Sequence, residues 1–258
     1  MRLMKRILSA AAVLALSASL LVGCSSGTAS SVPVSASSAA ESTVSSVEET
    51  ASSAVDENEA AAAQLLNDLT GSYQELWPVI LADEYKQTWL DDCTALVGEE
   101  NAEAAFEKLS SMVTSDVYGE DAVEAYANGG GAYFCGFTNS LATLTFDGET
   151  STISGTDKDG NVLFSHTYHY IGMEPVHGLY EFESDDADSG EFTYFFLAPD
   201  TSAETYHIEF RYGSDADALS QYDAGEYAYW VASGISTDCD QTMIDNCIEL
   251  FCTENLAG

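Results

Sequence analysis

Four histidines, His166, His169, His177 and His207, supply the nitrogen ligands in a chain of 258 residues. One of them stands in the pattern His207-Ile208-Glu209. In an extended strand, residues i and i+2 point to the same face, with Cα atoms about 7 Å apart. An imidazole and a carboxylate so placed can turn toward one cation, and zinc accepts both at about 2.0–2.2 Å. A carboxylate in the set moves the preference toward harder cations. Two ligands alone hold a metal weakly. The other reading of the pair is a hydrogen-bonded core histidine beside a glutamate that faces water, and both readings stay open on the sequence.

The remaining spacings carry less. His166-x-x-His169 puts its two rings on opposite faces of one strand, so they make no shared site. His177 lies near a hairpin turn and reads as a surface residue. Asp157-Lys158-Asp159-Gly160 begins like a calcium loop, but its twelfth position is Tyr168 where a glutamate is needed. The acidic stretch 184–190 fails the same test at Leu197, and both read as turns. No G-x-G-x-x-G, P-loop, H-E-x-x-H or G-x-S-x-G occurs. With 43 Asp and Glu residues no carboxylate pair can be singled out as a glycosidase dyad. The chain is not expected to be an enzyme. Beyond Cys24 there are Cys93, Cys135, Cys239, Cys247 and Cys252, an odd set without C-x-x-C. At least one is free or pairs between molecules, and the pairing cannot be deduced. Cys135 reads as a buried strand residue.

The elements that position these residues follow a sharply divided chain. Lys and Arg number 7 and the formal net charge is −36. Arg2, Lys5 and Arg6 sit in the first six positions, whereas every acid lies at Glu41 or beyond. So acidic a surface repels phosphate backbones and anionic headgroups, which excludes nucleic acid as a partner. Residues 1–24 read as an export signal: a basic start, an apolar run over 7–22, and Leu21-Val22-Gly23-Cys24. That ending resembles the lipobox of bacterial lipoproteins, which implies lipidation of Cys24 and a cell-envelope location outside the cytoplasm. Residues 25–55 hold 12 Ser, 3 Thr and 6 Ala with no aromatic residue. They cannot offset their ordering entropy and read as a disordered tether of roughly 30 Å.

Residues 56–258 are long enough for one domain with a sizeable core. The first third reads helical: Ala60–Leu69, then Tyr73, Leu76, Trp77 and Ile80, then Ala104 to Val113, punctuated by Gly71 and Gly98. A short helix is expected over Glu120–Ala127. From Ala132 the period becomes two. Seven strands are expected at Ala132–Thr138, Leu141–Phe146, Thr150–Ser154, Val162–Ile171, Val176–Glu183, Glu191–Ala198 and Thr205–Arg211. Short links between them suggest an up-and-down meander that curls into a barrel. Ser214 or Asp215 caps a helix over Ala216–Tyr222, and Thr237 or Asp238 starts another over Gln241–Cys252.

Two segments resemble the zinc-binding domain of the ZinT family, a domain that also ends some Gram-positive zinc-transport lipoproteins. The first is Leu69-Thr70-Gly71-Ser72-Tyr73-Gln74-Glu75-Leu76-Trp77-Pro78-Val79-Ile80. The second runs from Thr152 to Tyr212. It contains His169-Tyr170-Ile171-Gly172, Gly178-Leu179-Tyr180-Glu181-Phe182-Glu183, the aromatic run 192–197 ending Ala198-Pro199, and His207-Ile208-Glu209-Phe210 before Gly213. The order of elements matches over residues 60–255. The resemblance implies a calycin-like (lipocalin-type) antiparallel barrel, mainly β, with flanking helices. It also implies zinc held mainly by three histidines, one before the Ala-Pro and two as His-x-His in the next strand. Those positions here are Phe195, His207 and Glu209. With a hairpin turning near Thr201, Phe195 would stand opposite His207 and Thr193 opposite Glu209, all on one face. Glu181 on the neighbouring strand would be a candidate third donor. The function implied is a membrane-anchored lipoprotein that binds zinc or another divalent transition metal, for buffering or delivery to an ABC-type importer. The alternative is a calycin scaffold with a degraded metal site, holding a small apolar ligand or serving as an envelope interaction protein.

Overall fold

The structure, a computed structural model, describes residues 57–198 and 207–256. The export signal with Cys24, the tether 25–55 and the link 199–206 lie outside the described residues. Helix α1 covers 57–68 and places Ala62, Leu65 and Leu66 in the core at helical spacing. Next come strand β1 (Gly71–Glu75), helix α2 (Leu76–Ile80), helices α3 (Lys86–Val97) and α4 (Glu99–Met112), and a short α5 (Glu120–Ala125). Gly98 separates α3 from α4 at φ +85°, a conformation that side chains with a Cβ rarely adopt.

The remaining strands are β2 (Thr143–Asp147), β3 (Thr152–Thr156), β4 (Val162–Met173), β5 (Tyr180–Ser184), β6 (Tyr194–Leu197), β7 (His207–Gly213) and β8 (Ala232–Ser236). Helix α6 (Ala216–Leu219) and helix α7 (Gln241–Leu256) flank β8 in the sequence. Each strand pairs antiparallel with the next, and β8 pairs with β1 to close an eight-stranded barrel. The fold class read from the sequence is therefore the one observed.

The strand list needs three corrections. Ala132–Thr138 is not a strand; it makes isolated bridges from Phe134 to Thr114 and Trp230. Tyr73 lies in β1 rather than in a helix, because Gly71–Glu75 pairs with both β2 and β8. That pairing leaves the sheet without an open edge. Strand β8 is an addition to the expected strands. Ala232, Ser233, Gly234 and Ile235 are all buried, so no polar alternation marks it. The helix caps fall close to expectation: Asp215 accepts from the Ala218 N–H at 3.0 Å, and Asp240 caps α7 through the Met243 N–H at 3.0 Å.

Two cores flank the barrel wall. Inside, Phe164 stacks on Phe192 at 4.0 Å between centroids, and Phe195 meets Phe164 at 5.9 Å and Tyr212 at 5.4 Å. Tyr212 continues the chain of rings to Trp230 at 5.0 Å. Outside, α3, α4 and α7 pack over Ile235 with Trp77, Trp89, Leu109, Ile248 and Phe251. Trp89 donates its indole N–H to the Ile80 carbonyl at 2.7 Å, which satisfies that buried donor.

Candidate functional site

Strand β7 alternates as the sequence requires. Ile208, Phe210 and Tyr212 face the ring-filled interior, while His207, Glu209 and Arg211 face outward. Across the strand pair, His207 stands opposite Ile235 of β8 and Glu209 opposite Ser233. Ile235 belongs to the helical core, so His207 looks toward the helix layer and is half-buried, whereas Glu209 is exposed. The two candidate ligands do share one face.

The expected partner geometry does not hold. Phe195 pairs with Tyr212, not His207, and Leu197 pairs with Phe210. The β6–β7 register thus lies five residues from the one a turn near Thr201 would give. Thr193 lies outside β6, at the end of the 3₁₀ turn Gly190–Phe192. Phe195 is fully buried against Phe164, Tyr168, Phe210 and Tyr212, on the inner side of the wall. The reason is packing: a phenyl ring at 195 completes the ring stack, and an outward position would forfeit it.

Glu181 pairs with Phe196, which pairs with Arg211, so Glu181 is on the outer face as expected. Two strands and two residues still separate it from Glu209, about 12 Å at Cα by strand geometry. Among the described residues no group of three His, Cys, Asp or Glu side chains is arranged to hold a metal ion. Burial, with help from Glu174 and Asp217, pushes the Glu181 carboxyl up from its ordinary range.

The other histidines are engaged with acids. His166 and His169 lie on opposite faces of β4, as expected, and consecutive residues of the β5–β6 link meet them. Asp186 reaches His166 Nδ1 at 2.7 Å and Asp185 reaches His169 Nδ1 at 2.7 Å. His177 is not the surface residue expected. It is largely covered, its ring tilted against that of Tyr222 at 3.9 Å between centroids, with Glu174 Oε2 3.7 Å from its Nδ1. The Asp157 turn is a turn: its carboxylate accepts from the Asp159 and Asn161 N–H groups at 2.9 Å and from Asn161 Nδ2 at 2.8 Å. Those bonds, the Asn161 side chain first, lower the Asp157 pKa.

Arg211 belongs to no motif in the sequence. Its guanidinium is fully buried on the outer face of β7 and donates to the carbonyls of Leu219, Gln221 and Tyr227. It also lies 4.2 Å from the centre of the Tyr222 ring. Arg211 therefore ties β7 to α6 and to the segment leading into β8. The available signal was an arginine in a chain with so few basic residues, next to an apolar strand.

No family model matches the chain, and no curated protein matches it. Two solved structures from Streptococcus pneumoniae do. The chain is similar to a ZinT-like domain. The Zn(II)-bound ZinT-like domain of AdcA is 14% identical over 70% of this chain and 87% of that one, with a TM-score of 0.44. Zn(II)-bound AdcA is 13% identical over 71% of this chain, with a TM-score of 0.41, and the match spans 34% of AdcA.

Proposed function

We propose that the barrel binds a divalent transition metal, zinc in the first place, on the outer face of β7 through His207 and Glu209. The observation that carries this reading is the shared outward face of a nitrogen and an oxygen ligand two residues apart. A net charge of −36 supports it by concentrating cations at the surface. In this reading Cys24 carries a lipid, residues 25–55 hold the domain off the membrane outside the cytoplasm, and the metal is buffered or passed to an ABC-type importer. Two protein ligands leave the rest of the coordination shell to water or to a receiving protein, which suits release more than storage.

A second reading has its own observation. Phe195 is locked in the ring stack, and no third donor is arranged near the pair among the described residues. That favours a scaffold whose metal site has decayed and which serves as an envelope interaction protein. The version with a small apolar ligand inside the barrel is disfavoured, because the rings already pack against one another there. Titration calorimetry on metal-free protein separates the readings. A one-to-one zinc site lost in His207→Ala is the expected result. No heat with zinc, cadmium, copper or manganese overturns the metal reading.

A further inference from the structure

The thiols are the chemistry that neither reading uses. Cys93 on α3 and Cys252 on α7 have their Sγ atoms 3.9 Å apart, in van der Waals contact, with one S–H directed at the other sulfur. Both side chains are fully buried in the helical layer beside Trp89 and Phe251. Among the described residues no other two thiols are in hydrogen-bond contact: Cys135 directs its sulfur at the Tyr133 carbonyl, and Cys239 and Cys247 are free thiols. A disulfide needs sulfurs about 2.05 Å apart, so each side chain has to swing inward by roughly 1 Å. That is within the reach of a small χ1 adjustment on two packed helices.

We propose that Cys93 and Cys252 form a disulfide that staples α3 to α7, independently of the metal reading. The step is thiol–disulfide exchange with a low-molecular-weight disulfide, R–S–S–R. The Cys93 thiolate, its proton lost to water, attacks one sulfur and expels R–S⁻. The Cys252 thiolate then attacks the Cys93 sulfur of the mixed disulfide and expels the second R–S⁻. The two cysteines lose two electrons, and R–S–S–R gains them to leave as two R–SH after protonation. Burial pushes both cysteine thiols above their ordinary range, so the exchange belongs to the folding chain, before the helices close over the sulfurs. Once formed, the bond is shielded from reductant by the same packing. The cross-link closes a long loop and restricts the unfolded chain accordingly.

The test is cysteine mapping on the full chain, refolded with oxidised glutathione, then unfolded and alkylated without reductant. The expected result is a linked pair of peptides containing Cys93 and Cys252, with Cys135, Cys239 and Cys247 alkylated. In addition, the midpoint of thermal unfolding should fall when the protein is refolded with dithiothreitol. It should be unaffected by that treatment in the double variant Cys93→Ala, Cys252→Ala. Alkylation of all five of these cysteines, or a link between any other pair, overturns the proposal. If the double variant fails to fold, the peptide map of the unaltered chain still decides.

Discussion

Phe195→His restores an imidazole at the position where the ZinT resemblance calls for one, and it tests whether position 195 can belong to the His207 site at all. Phe195 is fully buried and meets four rings at 5.4–6.4 Å. Losing the burial of the phenyl costs about 2 kcal/mol. Leaving an imidazole N–H without a partner among those rings costs about 1–3 kcal/mol more. The sum is about 3–5 kcal/mol, comparable to truncating a buried Phe. For a domain of this size that lowers Tm by about 6–20 °C, readable by scanning calorimetry. Zinc affinity should be unchanged. Position 195 is level with Tyr212, about 17 Å along the strand from His207 and on the other side of the wall. A tenfold gain in zinc affinity would refute the assignment of faces. So would a Tm within about 2 °C of the parent.

Three other perturbations probe the frame around the site. Arg211→Met leaves the carbonyls of Leu219, Gln221 and Tyr227 without their donor, and urea unfolding should show a loss of about 3 kcal/mol or more. Asp240→Ala removes the acceptor for the Met243 N–H and should cost about 1 kcal/mol, read the same way. Glu181 has a folded-state pKa above its unfolded value, so the native state binds its proton more tightly. Stability contributed by this group therefore falls as pH rises from about 4.3 through the raised folded value. Glu181→Gln should raise the neutral-pH midpoint and flatten the pH dependence; an unchanged profile would contradict the burial of that carboxyl.

What the sequence disclosed follows from how each element buries its surface. Strands β2 to β5 and the start of β7 have one face on the rings and one toward water or helices, so their alternation is visible, whereas β6 is legible as a short aromatic run, Tyr194-Phe195-Phe196-Leu197, buried on both faces. Strand β8 hides both faces, and β1 carries Tyr73 at a spacing that also fits a helix, so neither was legible. Asp215 was readable as a cap because its side chain acts locally. The register between β6 and β7 was not readable, because it depends on a link whose length alone does not say where the turn sits. That register sets which face of the wall position 195 occupies. A shift of five residues, an odd number, moves Phe195 from the face of His207 to the opposite one.

The division between rings and charge narrows where selectivity can reside. A divalent ion wedged among the stacked phenyl rings of Phe164, Phe192, Phe195 and Phe210 would lose its hydration, and those rings offer no ligand atoms in exchange. On the outside, acidic charge attracts any cation within a Debye length of about 8–10 Å, but attracts magnesium and calcium as readily as zinc. Discrimination requires nitrogen, because imidazole suits zinc and carboxylate suits the harder ions. His166, His169 and His177 each lie against Asp186, Asp185 or Glu174, in three separate places. His207 alone of the four has a carboxylate two residues away on its own face of β7, in Glu209. His207→Ala should therefore erase the preference for zinc over magnesium in a competition titration while leaving weak, salt-sensitive magnesium binding intact. If the preference survives, the nitrogen ligand lies elsewhere and β7 is only a wall of the barrel.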